Sequence, residues 1–269
     1  MKISVFYQHI CEAAEQTGRS VPDILREVRG YGIGYVEADL DDMLRDGGYI
    51  ARLAAADLRV SSVYAFYDFV NNADRGRMAL HIQKAEEAGC GRIMMIPGFY
   101  SSAEKSVREC EREKMLEGMR ELCALAEQKG IVPMIEDFDA ETSPISDAEG
   151  MLWYLERIPS LRVAFDTGNF MYSGRSESEA LGLLRGRTVH VHCKDRSLEA
   201  KQGCGFTRAA DGRLLYPASV GSGCVKMAEI VGALESGGFD GIYVIEHFGA
   251  EDQLRYIKSS AEWLMGRAE

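Results

Sequence analysis

The sequence is short of everything that marks a chain for nucleic acid, membranes or export. Its 31 Lys and Arg stand against 42 Asp and Glu, a formal net charge of −11, so the basic surface that a phosphate backbone calls for is missing. No apolar run approaches the ~20 residues of a membrane-spanning helix. The opening MKISVFY runs straight into a strand pattern, with no apolar signal segment or cleavage site. Seven cysteines (11, 90, 110, 123, 193, 204 and 224) form no C-x-x-C pair and no regular framework, which reads as reduced thiols in a cytoplasmic protein. These absences leave a cytoplasmic protein with neither nucleic acid nor membrane as partner. A small anionic ligand would need only a local Lys or Arg, and a homo-oligomer is compatible with the composition.

What is there is an alternation. Runs rich in Val, Ile and aromatics occur at 3–7, 35–38, 60–66, 92–97, 132–138, 162–166, 188–195 and 241–248. Between them lie helical patterns at 21–30, 49–57, 75–89, 104–129, 147–157, 176–186, 224–236 and 251–266. Several helices run into glycine, as in AEEAGCG and AEQKG, which suits a left-handed cap before the next strand. Eight βα units in 269 residues predict a single-domain (β/α)8 TIM barrel, a fold of about 250 residues. The rival, an open doubly wound sheet, lacks its Gly-rich phosphate loop: YQHICEAAEQ follows the first strand. One connection breaks the rhythm. Residues 196–223 form a long Gly-rich loop after strand 7, and loops of that length are more often functional than not, so a lid is expected there.

Four strand patterns end on residues that bind metals: PMIEDF with Glu136, VAFDTGNF with Asp166, VHVHCKD with His192 and YVIEHF with Glu246. In a barrel all strand C-termini open on the face that carries the active site. Alternation puts His190, His192 and Lys194 on one side of their strand, so His192 and Lys194 look into the mouth if Val189 and Val191 pack against helices. Taken singly, Asp166 reads equally well as a helix cap and His192 as a core histidine. A Glu within an apolar run is harder to dismiss, because unpaired glutamates are seldom buried. The coincidence on four consecutive strands favours a site for one divalent cation. Three carboxylates and an imidazole, with no thiolate, suit Mn2+, Mg2+ or Co2+ better than structural Zn2+, although Zn2+ also fits such a set. Without a cation, the clustered carboxylates would have to protonate or be neutralised. Glu37, ending the second strand, reads first as a partner in a structural ion pair. Tyr64, Phe66 and Tyr67, at strand 3, read first as core, with the wall of a sugar site as the other reading.

The ordered tips MIED, FDTGN, HVHCKD and VIEH resemble the sugar phosphate isomerase/epimerase family of xylose-isomerase-like TIM barrels, over essentially the whole chain. The resemblance implies that Glu136, Asp166, His192 and Glu246 hold one divalent metal, with Glu136 and Glu246 also the catalytic acid/base pair. It implies a keto sugar or sugar phosphate as substrate and an enediolate route to epimerisation or isomerisation. Lys194 and Asp195, in the HxKD piece, are typical of the sugar-phosphate-like branch. VGSG (220–223) resembles the turn that precedes helix 7. Asn169 stands where free-ketose 3-epimerases of this superfamily tend to have a substrate-binding histidine, a departure that counts against a free ketohexose. Arg196 is placed to meet a phosphate or carboxylate, and His9, just past strand 1, to hold a substrate hydroxyl. An inosose-dehydratase-like lyase is the alternative on the same scaffold. An endonuclease IV-like repair enzyme fits poorly with five histidines and a net charge of −11, and a non-catalytic sugar-binding protein gives no reason for two opposed glutamates.

Overall fold

The computed structural model describes residues 1–267. Numbered in chain order, the strands are β1 (Lys2–Phe6), β2 (Tyr35–Asp39), β3 (Arg59–Phe66), β4 (Arg92–Ile96), β5 (Val132–Glu136), β6 (Arg162–Asp166), β7 (Thr188–Cys193), the short β8 (Asp195–Ser197), β9 (Thr207–Arg208) and β10 (Leu214–Ala218), and finally β11 (Ile242–Ile245). Eight of them close into a parallel barrel in the order β1-β11-β7-β6-β5-β4-β3-β2, as the alternation predicts. Helices α1 (Tyr7–Thr17), α2 (Val21–Gly30), α3 (Leu40–Arg45), α4 (Tyr49–Ala55), α5 (Arg75–Glu87), α6 (Lys105–Gln128), α7 (Ala148–Arg157), α8 (Glu177–Leu184), α9 (Met227–Ser236) and α10 (Gln253–Met265) complete the chain. Among the described residues no helix is long and apolar enough to cross a membrane.

Local chemistry sets the boundaries. Ser20, Asp74, Asp147, Ser176 and Asp252 each accept a backbone N–H three residues on, capping α2, α5, α7, α8 and α10; such a cap contributes about 1 kcal/mol. Two helices are absent from the sequence-based assignment. Helix α1 follows β1 with no loop, and its N-terminal residue Phe6 offers no side-chain cap. It is held instead by burial of Tyr7, Ile10, Ala13 and Ala14, an i, i+3 face built partly from alanines. Helix α3 spans only six residues, too few for periodicity to register.

The core has two compartments. Outward strand faces and helices bury one large cluster, including Val5, Ile93, Ile135, Phe165 and Val191. Inside the barrel, Phe6, Tyr64, Met94, Met134, Ala164 and Val244 form a second, smaller one. This interior is not wholly apolar. Ser4, Glu37, Ser61 and His190 are buried within it and bonded to one another: Ser61 Oγ donates to Glu37 Oε2 at 2.6 Å and meets Ser4 Oγ at 2.8 Å.

The long connection after β7 is more ordered than a Gly-rich loop suggests. Strands β8, β10 and β9 form a small antiparallel sheet, with Tyr216 opposite Ser197 and Leu214 opposite Arg208. Its return to the barrel is fastened by Asp195. That carboxylate accepts the backbone N–H groups of Arg196 (2.8 Å), Gly221 (2.9 Å), Gly223 (2.9 Å) and Val225 (3.2 Å). Gly223 is required here, because a Cβ would overlap the Asp195 carboxylate and the Arg196 carbonyl.

Candidate metal centre

The strand ends deliver four side chains to one spot. Ligand-type atoms of Glu136, Asp166, His192 and Glu246 all lie within 4.8 Å of one another, and all four residues are buried. Register explains the convergence: Asp166 sits opposite His192 in the β6–β7 pairing, while Glu136 and Glu246 come from the flanking β5 and the end of β11. His192 Nδ1 lies 2.5 Å from Glu136 Oε1 and 3.2 Å from Glu246 Oε2. The other ring nitrogen, Nε2, faces away, 3.7 Å from Glu37 Oε1. Asp166 Oδ1 is occupied by the backbone N–H groups of Gly168 and Asn169, both at 2.7 Å, leaving Oδ2 for the centre.

The other expected site residues divide. Lys194 reaches the cluster: its Nζ lies 2.5 Å from Glu246 Oε1 and 3.5 Å from Asp166 Oδ2, and donates to Asn169 Oδ1 at 2.7 Å. Asn169 in turn donates to the Asp137 carbonyl at 2.7 Å, which fixes its amide. Arg196 lines the cavity, but its guanidinium is paired with Asp139 at 2.8 Å. Two placements need correction. Asp195 faces the 221–225 turn, not the cavity: its carboxylate accepts the Gly221 and Gly223 N–H groups, while those of Val220 and Ser222 go to Ser260 Oγ and the Ser219 carbonyl. His9 is fully buried behind Phe248: its Nε2 accepts the His247 N–H at 3.0 Å, and its ring stacks on His247 at 4.7 Å. Helix α1 turns His9 inward and brings Gln8 to the cavity instead, where it donates to Tyr64 Oη at 2.5 Å. Glu37 does pair with His190, 3.0 Å from its Nε2, but as a hydrogen bond to a neutral imidazole and not the expected ion pair, because burial lowers His190. Asp139, Phe138, Thr207 and Phe248 also line the cavity without having been singled out in the sequence: Phe138 and Phe248 close the PMIEDF and YVIEHF stretches, where attention fell on the glutamates, and Asp139 and Thr207 belong to no motif.

Electrostatics make this a strained set of charges. Burial, with Glu246 and Glu136 nearby, pushes the Asp166 carboxyl well above its ordinary range. Burial also raises Glu136, against the pull of His192. Burial alone would lower His192, but the Glu136 and Glu246 carboxylates raise it well above the usual imidazole value. Glu246 is driven up by burial yet held below the normal carboxylate range by Lys194 and His192. Lys194 and a protonated His192 thus stand in for a cation, and the substitution is incomplete. Asp166 Oδ2, Glu246 Oε2 and His192 Nε2 remain buried without a hydrogen-bond partner, a condition that costs about 1–3 kcal/mol per neutral group and more for charged ones. A divalent ion fits this set: three oxygen donors and Nδ1 of one imidazole, spaced as metal–ligand bonds of about 2.0–2.6 Å require.

A cavity of about 390 Å³ opens above the cluster, lined by Glu136, Glu246, Asn169, Lys194 and Arg196 on one side and by aromatic residues on the other. Fold and site together define a (β/α)8 barrel with an acid-rich cluster at the C-terminal mouth. The xylose isomerase-like TIM barrel family matches residues 25–266, and the chain belongs to it. A search of curated protein sequences returns no match. Similar solved structures include a probable 3-DHS dehydratase involved in petrobactin synthesis from Bacillus anthracis (18% identity, 99% of this chain and 100% of that one, TM-score 0.76). Another is a xylose isomerase-like TIM barrel protein from Mycobacterium smegmatis in complex with magnesium (19% identity, 91% and 87% covered, TM-score 0.68). A third is a 3-keto-D-glucoside 4-epimerase from E. coli (17% identity, 91% and 94% covered, TM-score 0.68). At these identities the likeness establishes the fold alone.

Proposed function

We propose that the protein is a divalent-metal-dependent epimerase or isomerase of a keto sugar. The observation that carries this reading is the placement of two glutamates, Glu136 and Glu246, on either side of His192 in a four-residue cluster at the floor of a sugar-sized cavity. Glu136, Asp166, His192 and Glu246 would hold the ion through three carboxylates and Nδ1. The bound ion supplies Lewis-acid polarisation of the substrate carbonyl and of an adjacent hydroxyl.

The remaining chemistry belongs to the chain. One glutamate removes the proton from the carbon next to the carbonyl, and the other returns a proton from the opposite face, which inverts the centre. Return of the proton to the neighbouring carbon gives an aldose–ketose isomerisation. Lys194, bonded to Glu246 and Asn169, places an ammonium beside the developing oxyanion. A second reading, dehydration, rests on the same ammonium at the cluster, which would supply the proton to a departing β-hydroxyl. One experiment separates these outcomes. The protein, loaded with Mn2+, Mg2+ or Co2+, is incubated with keto sugars, their phosphates and inososes in deuterated water, and products are read by NMR. Deuterium at the carbon next to the carbonyl with retained mass otherwise supports epimerisation or isomerisation, and loss of water supports the lyase. No solvent exchange with any substrate, at full metal occupancy, sinks both.

A further inference from the structure

The cavity has two unlike halves, and only one of them is explained by chemistry at the metal cluster. The other is an arc of aromatic rings. Phe99 contacts Phe138 at 5.3 Å between centroids, Phe138 contacts Phe66 at 5.7 Å, and Phe66 contacts Tyr64 at 6.4 Å. Tyr64 continues to Phe6 at 5.7 Å, and Phe6 to Phe248 at 5.4 Å. Five of these rings, Phe6, Tyr64, Phe66, Phe138 and Phe248, line the cavity from the ends of four barrel strands, and Phe99 adjoins Phe138 outside that lining. Two of the lining rings are bare: Phe66 is 43% exposed and Phe248 41%. Contiguous exposed apolar surface of this kind marks a binding site more often than chance.

The polar half carries a second message, about charge. Glu136, Asp166, Glu246 and Asp139 supply four carboxylates, and Lys194 and Arg196 two cations. Adding the two charges of a divalent ion balances the four carboxylates, with His192 neutral as a ligand. Both cations already have acidic partners, Lys194 at Glu246 and Arg196 at Asp139. No positive charge is left over for a phosphate.

From the aromatic wall and the spent charges together, we propose that the substrate is an uncharged keto-glycoside. Its sugar sits over the cluster, and a flat apolar aglycone stacks on the arc formed by Phe66, Phe138 and Phe248. This deepens, and rests on, the keto-sugar reading above. The wall is continuous with the cluster's own cavity, so it serves a substituent of the bound sugar and not a separate partner.

Phenyl and methyl β-D-glucopyranoside test the proposal, since neither has a carbonyl to be turned over, with glucose 6-phosphate as the charged control. Affinities are measured by NMR titration of the Mg2+-loaded protein. Stacking one phenyl ring on the arc predicts binding about tenfold tighter for the phenyl glucoside than for the methyl glucoside. The phosphate ester should bind no tighter than the methyl glucoside. In Phe66→Ala and Phe248→Ala, both at exposed positions, the phenyl preference should fall to about twofold or less while metal affinity stays at the wild-type value. Phe66→Leu, which keeps apolar bulk without a ring, checks that the loss is not a folding defect. Equal affinities for the two glucosides, a preference untouched by either alanine variant, or tighter binding of the phosphate would each overturn the proposal. So would a stable dimer that hides Phe66 and Phe248 and excludes the phenyl glucoside. A separate metal titration keeps the two readings apart: a protein that prefers the phenyl glucoside but takes up no metal retains the aglycone site and loses the metal-dependent function.

Discussion

Replacing Glu37 by Gln should weaken metal binding although Glu37 touches no ligand position. Its carboxylate lies below the cluster, with Oε2 accepting from His190 Nε2 at 3.0 Å and Ser61 Oγ at 2.6 Å, and Oε1 lying 3.7 Å from His192 Nε2. A carboxylate there favours the imidazole tautomer with its hydrogen on Nε2, which leaves the Nδ1 lone pair aimed at the other three ligands. Glutamine has the same shape and can keep the Ser61 contact. Its amide NH2 facing Nε2 would instead favour hydrogen on Nδ1 and block ligation. Partners that orient metal-bound histidines typically govern 10–100-fold in affinity, about 1.4–2.7 kcal/mol. The assay is a Mn2+ titration followed by calorimetry, with a thermal melt to verify the fold. A second readout is pH. The Glu136 and Glu246 carboxylates raise the metal-free His192 well above the usual imidazole value, so metal binding competes with a proton there and affinity should rise with pH. In Glu37→Gln the titration midpoint of this dependence should move to lower pH, because one of the carboxylates stabilising the imidazolium is gone. A folded Glu37→Gln protein that binds Mn2+ within twofold of wild type would refute the reasoning.

Three further outcomes follow from the structure. Glu136→Gln and Glu246→Gln should each lose on the order of 10²–10⁴-fold in turnover, and a loss below tenfold in both with metal content unchanged would move the acid/base role elsewhere, to Lys194 first. Asp195→Asn replaces one acceptor oxygen among four backbone N–H groups by an NH2, and should cost about 2 kcal/mol in urea unfolding; an unchanged midpoint would mean the 221–225 turn does not depend on this clamp. His81 is buried between the Tyr67 hydroxyl and the Val63 carbonyl, both at 2.9 Å, and burial lowers it to about 4. Its folded pKa lies below the unfolded value of ~6.5, so falling pH protonates the unfolded chain first. The stability it contributes is whole above that value and is lost toward pH 4, about 2 kcal/mol by pH 5. The pH 7-to-5 loss should shrink by that amount in His81→Gln, and equal losses in both proteins would contradict the assignment.

The parts of this molecule that could be read in the sequence are those where a residue breaks a local rule. A glutamate inside an apolar run or an aspartate at a strand tip is out of place on periodicity alone, and Glu136, Asp166, His192 and Glu246 are brought together as that pattern suggests. Lys194 follows from alternation with His192. The arc of rings was not legible for the opposite reason. An aromatic at a strand end obeys the rule for core residues, and Tyr67 does enter the core, against His81, while Phe66, one residue earlier, faces the cavity. His9 misled because a loop was expected where α1 begins, and a helical turn rotates a side chain by about 100° per residue. Asp195 misled because a buried acid just past the His192 strand looks like a ligand, whereas its partners are backbone N–H groups, one next in the chain and three at residues 221–225.

Register accounts for how the cluster closes, and one irregularity is part of it: the β6–β7 pairing shifts by one residue between Val163 and Ala164, which sets Asp166 opposite His192. Strand neighbours lie about 4.8 Å apart, near enough for side chains at matching heights to meet. Glu136 is opposite Ala164, two residues below Asp166, so the cluster climbs by one pleat from β5 to β6. It stays level from β6 to β7, where Asp166 faces His192. It climbs again to β11, where Val244 faces His192 and Glu246 follows two residues later. Each step is an even number of residues, so all four side chains keep to the inner face. An odd step turns a side chain outward. Asp137 shows the consequence: one residue past Glu136, equally acidic and fully buried, it receives the Asp166 backbone N–H at 3.3 Å and lies outside the cluster. Moving the acid by one position, with Glu136→Ala in a chain that still carries Asp137, therefore leaves three ligands and not four.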